Sequence, residues 1–176
     1  SNAVAVLNNG TVKNISGGKL YAESNGTGYA TALRNNADAA KVERISGGEL
    51  SALVTNANAA DKHIAYGVYN QKGTIEEISG GKIAAKTTAT QWAFGIWNQA
   101  VIDTISGGAI MAEIEHTKNA PNAIALSNNK TVQAITGGTF YAVSSCPSGS
   151  TIAIRSQNAG SDVVSVSGGA YYINKM

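Results

Sequence analysis

Three carboxylates recur at matching places in the sequence, and together they could hold a divalent cation. Glu43, Glu76 and Asp103 each lie two residues before the isoleucine of an Ile-Ser-Gly-Gly phrase. If the copies of this phrase stack on one another, the three acids form one column with no cation between them. Grouped carboxylate oxygens suit Ca²⁺, whereas Lys13 and Arg44 nearby could simply neutralise the acids. We therefore expect either a calcium site or an ion-pair network here, and no other cofactor.

Aromatic side chains gather in the middle of the chain. Alternation along a strand would point Tyr66 and Phe94 towards the core and Tyr69 and Trp97 towards water. Exposed rings can stack on a sugar or anchor a protein partner, so Tyr69, Trp92 and Trp97 are candidate ligand-binding residues. The alternative is that the rings only contact one another across neighbouring strands and stabilise the fold.

The other reactive side chains are His63, His116 and Cys146. The histidines are two repeats apart, about 10 Å on the spacing of stacked strands, which is too far for both to bind one zinc ion. We expect them to be solvated loop residues. Cys146 is the only cysteine, so it forms no disulfide within the chain, and no base that would activate it is apparent. No catalytic residue is predicted, and we expect a protein that is not an enzyme.

All these candidates belong to a repeat of about thirty residues. Each unit reads Ala-x-Ala/Gly-aliphatic-x-Asn, then two aliphatic residues three positions apart, then a glycine pair and x-Leu/Ile/Phe-x-Ala. Apolar residues alternate with period two in the first and third stretches, which indicates strands, and no helical period persists beyond one turn. The glycine pairs follow one another at 30, 33, 27, 30 and 31 residues and comprise Gly17 and Gly18, Gly47 and Gly48, Gly80 and Gly81, Gly107 and Gly108, Gly137 and Gly138, and Gly168 and Gly169.

Three short strands in each turn predict an all-β fold, a single-stranded parallel β-helix (β-solenoid) of about six coils, which we expect to be right-handed. Residues 1–3 are interpreted as the remnant of a purification tag and residues 4–176 as a single repeat domain.

Glycine suits the corner because it reaches positive φ and lets backbones approach closely. A leucine-rich repeat is the rival architecture, but it needs several leucines in each unit. The recurrent asparagines would form a structural ladder along one corner; they are Asn8, Asn35, Asn70, Asn98 and Asn128.

The composition argues against nucleic acid and membranes as partners. Only 14% of the residues are charged, and the formal net charge is +2 with no run of Lys or Arg. Binding to nucleic acid or to an anionic membrane surface requires a concentrated basic patch. We therefore expect no nucleic-acid partner and no membrane insertion by this segment.

The Ile-Ser-Gly-Gly phrase followed by a short strand resembles the repeats of bacterial surface parallel β-helix proteins. These proteins form the pectin-lyase-like class, which includes secreted adhesins. The phrase is also similar to the glycine-pair repeats of self-associating autotransporter passengers. The resemblance implies a secreted or cell-surface protein of a bacterium. From it we expect a non-catalytic, adhesin-like scaffold that binds a host or bacterial surface glycan or protein, with homotypic association also open.

The segments between the third strand of one unit and the first strand of the next vary in length and sequence, and together they should form one edge of the stack, the loop edge. The alternative is a β-helix that binds carbohydrate or cleaves polysaccharide along this loop edge. Polysaccharide lyases of the resembling class use Ca²⁺ on acidic residues beside a basic proton acceptor. Arg44 is the one basic residue beside the three acids that the resemblance offers for that role.

Overall fold

The protein winds as a parallel β-solenoid, as the repeat predicts. The structure is a computed structural model that describes residues 2–26, 28–55, 63–88, 92–116 and 121–176. These residues form no helix, and therefore no helix that is long and apolar enough to cross a membrane. The strands are β1 (Ala3–Asn8), β2 (Thr11–Ser24), β3 (Ala30–Asn35), β4 (Lys41–Val54), β5 (Ala65–Asn70), β6 (Thr74–Thr87), β7 (Ala93–Asn98), β8 (Val101–Ile105), β9 (Ala109–Ile114), β10 (Ala123–Asn128), β11 (Thr131–Ile135), β12 (Thr139–Ser144), β13 (Thr151–Ser156), β14 (Asp162–Val166) and β15 (Ala170–Lys175).

Every coil contributes one segment to each of three faces. Face 1 contains β1, β3, β5, β7, β10 and β13, which pair in parallel in that order. Face 2 contains the segments before the glycine pairs and face 3 those after them. In the first three coils both segments belong to one long strand, β2, β4 or β6, whereas later coils break at the glycines. The stack winds through about five turns, close to the six coils predicted.

The glycine pairs form a continuous line between faces 2 and 3, which we call the glycine seam. From the second coil onwards, the first glycine of a pair has no room for a side chain: a Cβ on Gly47 or Gly80 would overlap the carbonyl oxygen of Ser16 or Ser46 in the preceding coil. The second glycine has a positive φ, 79° at Gly48, which other residues rarely adopt. Both positions therefore require glycine, for different reasons.

Aliphatic side chains fill the interior in vertical columns. One column contains Val42, Ile75, Ile102 and Val132, which pair with one another in successive coils and are all buried. Each fully buried side chain of this size contributes about 1.5–3 kcal/mol relative to an exposed one. The interior is thus a packed core that leaves the outer surface as the place for recognition.

Small residues line the interior where faces 1 and 3 converge towards the loop edge. Alanines from both faces form one buried cluster there, including Ala52 and Ala85 from face 3 and Ala65 and Ala93 from face 1. These alanines let the two sheets approach closely, and Val54 and Ile114 of face 3 fill the remaining space in the same cluster.

The predicted asparagine ladder is confirmed at the corner between faces 1 and 2. The Nδ2 of each asparagine donates to the Oδ1 of the next, at 2.9 Å from Asn8 to Asn35 and at 2.7 Å from Asn70 to Asn98. Asn70 Nδ2 also donates to the Val101 carbonyl at 2.9 Å. The ladder ends where Ser156 pairs with Asn128. The amides therefore satisfy the main-chain groups of a buried corner, which is a structural role.

Candidate functional site

Four rings form a compact group on the outside of face 1, which we call the aromatic cluster: Tyr66, Tyr69, Phe94 and Trp97. Strands β5 and β7 place them side by side, because Tyr66 pairs with Phe94 and Tyr69 pairs with Trp97. The ring centroids are 5.7 Å apart in the first pair and 5.2 Å in the second, and both pairs are stacked. Tyr66 also stacks on Tyr69 at 5.0 Å.

The prediction that Tyr66 and Phe94 point into the interior is wrong, although both are buried. Strict alternation would put Tyr66 and Tyr69 on opposite sides of the strand, but Gly67 and Val68 both face inwards. A Cβ on Gly67 would lie 2.7 Å from Ile83 Cγ2, and Val68 belongs to the interior cluster. Because two successive residues face inwards, Tyr66 and Tyr69 share the outer side.

Burial of the rings raises the pKa of the tyrosine hydroxyls. Desolvation is the main cause at Tyr66, which is almost fully covered, and also at Tyr69, which is half-buried. The Tyr69 hydroxyl donates to Gln99 Oε1 at 2.7 Å. With the Asn129 amide oriented so that its oxygen faces the indole, Trp97 Nε1 donates to it at 3.3 Å. The polar atoms of the outer two rings are thus engaged within the protein.

Two arginines flank the aromatic cluster. The Arg34 guanidinium lies 5.5 Å from the centroid of Tyr69, and its Nε donates to Gln71 at 2.9 Å. Arg155, from the last coil, lies 5.8 Å from the centroid of Phe94, and desolvation lowers its pKa. Both contacts have the geometry of a cation above a ring face.

Trp92 completes this surface and is its most accessible ring. Its indole meets Phe94 edge to face, with centroids 5.9 Å apart, and the residue is 37% exposed. The structure therefore brings Tyr69, Trp92 and Trp97 to one surface, as the sequence suggested. Neighbouring rings cover most of the ring faces of Tyr69 and Trp97, so Trp92 has the most ring surface available to a ligand.

The three predicted metal ligands stand in one column on face 2, but a lysine forms ion pairs with two of them, Glu43 and Glu76. Lys41 Nζ lies 2.6 Å from Glu76 Oε1 and 3.9 Å from Glu43 Oε1. The hydrogen bond to Glu76 is the main cause that raises the pKa of Lys41, and the charge of Asp103 also contributes. The expectation of a column without a cation is thus corrected, because Lys41 lies two residues before Glu43 on the same side of β4.

Further charges on the outside of the coil are paired in the same way. Arg44 lies 2.6 Å from Glu77, and Glu49 is within 3.7 Å of Lys19 and 3.8 Å of Lys82. Within the ranges that the structure describes, no three His, Cys, Asp or Glu side chains are grouped as metal ligands would be. The arrangement on faces 2 and 3 is that of cross-coil ion pairs.

The two histidines that were expected to be solvated are less exposed than predicted. His63 is buried, which corrects the prediction of a solvated residue, and Cys146 is buried as well. His116 is partly covered, and desolvation lowers its pKa. These positions lie outside the repeated strand segments, so the repeat pattern gives no signal for their burial.

Arg34, Arg155 and Lys41 are the residues that the sequence argument undervalued. Arg34 and Arg155 occupy the same column as Tyr69 and Trp97, so the repeat alignment contained the signal.

Comparison of the chain with models of protein families, with curated proteins and with solved structures gave no match.

Proposed function

We propose that this chain is a non-catalytic scaffold domain of a secreted or cell-surface bacterial protein, and that its outer faces and loop edge bind a surface glycan or protein. The observation that carries the proposal is the packing of the stack. The interior is filled with buried aliphatic side chains, and charged side chains on the outside pair with one another across coils. Such a body presents a regular, rigid surface, which suits adhesion better than enclosure of a substrate.

The test is binding without turnover. The purified chain is applied to immobilised bacterial and host surface glycans and to extracellular proteins, and each ligand is recovered and analysed by mass spectrometry. We expect saturable binding to at least one ligand, recovered chemically unchanged. Absence of saturable binding across the panel, or chemical alteration of the bound ligand, would contradict the proposal.

A second candidate is a carbohydrate-binding domain that uses the surface around Trp92. The observation that favours it is the exposed Trp92 indole beside the aromatic cluster, because a free ring face can stack on a sugar. Titration with glycans should then change the tryptophan fluorescence, Trp92→Ala should abolish the change, and Trp92→Phe should restore binding. If Trp92→Ala binds the same glycan with unchanged affinity, this candidate is wrong while the scaffold proposal stands.

The geometry does not favour polysaccharide cleavage. The lyase-like arrangement needs a cation on Glu43, Glu76 and Asp103, with Arg44 free to accept a proton. Lys41 occupies the space between two of these acids, and Arg44 is held by Glu77. A Ca²⁺-dependent lyase function would therefore require both ion pairs to break.

A further inference from the structure

The outer side of face 3 has a central column in which small side chains are followed by large ones. In the second to fifth coils this column contains Ser51, Ala84, Met111 and Tyr141, which pair in that order and are all partly exposed. A depression of about 200 Å³ is lined by Ser51 and Ala84 together with Tyr21 and Met111. The surface is therefore low over the second and third coils and high over the fourth and fifth.

The neighbouring column of face 3 has a matching order of apolar and charged side chains. The same four coils contribute Leu53, Lys86, Glu113 and Val143 to it. Lys86 Nζ lies 3.4 Å from Glu113 Oε1 in the next coil, and an aliphatic residue flanks this pair on each side. The column thus places opposite charges on the two sides of a point between the third and fourth coils.

These two columns make face 3 complementary to itself. If two copies pack face 3 against face 3 with their stacks antiparallel, a two-fold axis along the strands can pass between the third and fourth coils. Facing sheets lie about 10 Å apart, so a small side chain is best filled by a large one opposite it. With this axis, Ala84 faces Met111 of the second copy, Ser51 faces Tyr141, Leu53 faces Val143, Lys86 faces Glu113, Lys82 faces Ala109 and Glu49 faces Thr139.

Other arrangements of the same two faces fit less well. An axis through the third coil would place Lys86 opposite Lys86 of the second copy, and an axis through the fourth coil would oppose two Glu113 side chains. Parallel stacks would oppose Lys82 and Lys86, and would also leave Ala84 facing Ala84. Like charges directly opposite each other are destabilising, so the axis between the third and fourth coils is favoured over these alternatives.

We propose that the outer side of face 3 binds face 3 of a second copy of this chain in an antiparallel two-fold dimer, with the axis between the third and fourth coils. The contact is the same surface on both copies, so it closes at two and does not extend into a filament. The proposal is independent of the function proposed above, because it leaves faces 1 and 2 and the Trp92 surface accessible to a ligand.

The size of the contact sets its expected strength. Four coils of face 3 measure about 20 Å along the strands and about 19 Å along the stack, so the dimer buries about 800 Å² in total. Stable complexes usually bury about 1,200–2,000 Å². We therefore expect a weak dimer that forms only as the concentration rises.

The first test follows the molar mass of the full chain with concentration by sedimentation velocity. The wild type should pass from monomer to dimer and no further. Ala84→Lys should need a concentration at least about tenfold higher to dimerise, because its side chain occupies the space that Met111 of the second copy fills. The matched control is Ala134→Lys, the same substitution at a partly exposed position on the outer side of face 2, and it should dimerise like the wild type.

A second test uses the charges beside the axis. Lys86→Glu and Glu113→Lys should each weaken dimerisation by at least about tenfold, because each brings like charges together across the interface. An equimolar mixture of the two variants should dimerise like the wild type. In the mixed dimer the glutamate introduced at position 86 faces the lysine introduced at position 113, and the native Glu113 and Lys86 face each other. An effect within one chain cannot be reversed by mixing.

Circular dichroism checks that each variant keeps its strands, and Ala84→Lys removes no ion pair, so it remains informative if a charge variant fails to fold. A wild type that stays monomeric at the highest soluble concentration overturns the proposal. So does dimerisation that Ala84→Lys leaves unchanged, since association would then use another face. A mixture of folded charge variants that dimerises no better than either variant alone overturns the proposed axis.

Discussion

At the scale of single residues, the seam shows that identical glycines meet different demands according to what lies beneath them. Gly47 needs to lack a side chain because the Ser16 carbonyl approaches it, and Gly48 needs a positive φ. Gly17 meets neither demand within the described structure. The effect of one substitution should therefore depend on the coil in which it is made.

We predict that Gly47→Ala destabilises the fold, whereas Gly17→Ala does not. The added methyl at Gly47 forces the backbones of two coils apart, which should lower the free energy of unfolding by about 1–3 kcal/mol. At Gly17 the same methyl meets open space, so stability should be unchanged or slightly higher. Urea unfolding of both variants in dilute solution measures this, and equal losses at the two positions would refute the assignment of the seam.

The asparagine ladder gives a second prediction at this scale. Asn70→Ala removes the acceptor used by Asn35 and the donor used by the Val101 carbonyl, in a buried corner where water cannot replace them. We expect a loss of about 3 kcal/mol in the free energy of unfolding. The control is Asn36→Ala, because Asn36 is less buried and its side-chain amide donates to Asn9 at an exposed site. Its cost should stay within about 0.5 kcal/mol. Similar losses for both would contradict a structural ladder.

At the scale of elements, the strands of face 1 show how far the sequence could predict the candidate site. The repeat alignment placed Tyr69 and Trp97 in one column correctly, because stacked coils keep the same register. It failed on Tyr66, because the alternation rule assumes that successive residues point to opposite sides. Gly67 and Val68 break that rule by both facing inwards, and nothing in the local pattern distinguishes such a bend from a regular strand.

The prediction that the acid column has no cation beside it failed for a related reason. The alignment stacked Glu43, Glu76 and Asp103 correctly, but it compared each column only with itself. Lys41 belongs to the neighbouring column of the same face, and its long side chain reaches sideways to Glu76. Columns were therefore predictable from the period, whereas contacts between columns depend on side-chain reach.

The aromatic cluster yields a prediction at the same scale. Trp97→Ala uncovers Phe94 and Tyr66, both of which stack on its ring at about 5 Å, and should lower the free energy of unfolding by about 2–4 kcal/mol. Trp92→Ala is the control, because that ring is partly exposed and touches the cluster only by an edge; its cost should be below about 1 kcal/mol. A larger loss for Trp92→Ala in urea unfolding would reverse the roles we assign to the two indoles.

At the scale of the whole molecule, each coil is stabilised by its neighbours, so stability should be greatest in the middle of the stack. Strands β5 and β7 are covered on both sides, whereas β14 and β15 have one neighbouring strand and are largely exposed. The period, the strand positions and the corner glycines allowed this architecture to be predicted. The burial of His63 and Cys146 could not be, because both residues lie outside the repeated strand segments.

We predict a gradient of amide hydrogen exchange along the stack. In dilute solution, amides of β14 and β15 should exchange fastest and those of β5 and β7 slowest, because the end coils open without disturbing the middle. Exchange measured by mass spectrometry on peptides from each coil provides the comparison. Uniform protection from the first to the last coil would show that the molecule opens only as a whole.

The central claim is that residues one repeat apart lie one strand spacing apart, and a distance between two spin labels tests it most directly. Lys13 and Gln133 are both exposed and belong to one column on face 2, four coils apart by the observed registers. With labels on Lys13→Cys and Gln133→Cys, and buried Cys146 left in place, double electron–electron resonance should give one narrow distribution near 20 Å, as expected from about 4.8 Å per strand. A distribution centred beyond about 30 Å, more than six strand spacings, would contradict the stacked solenoid.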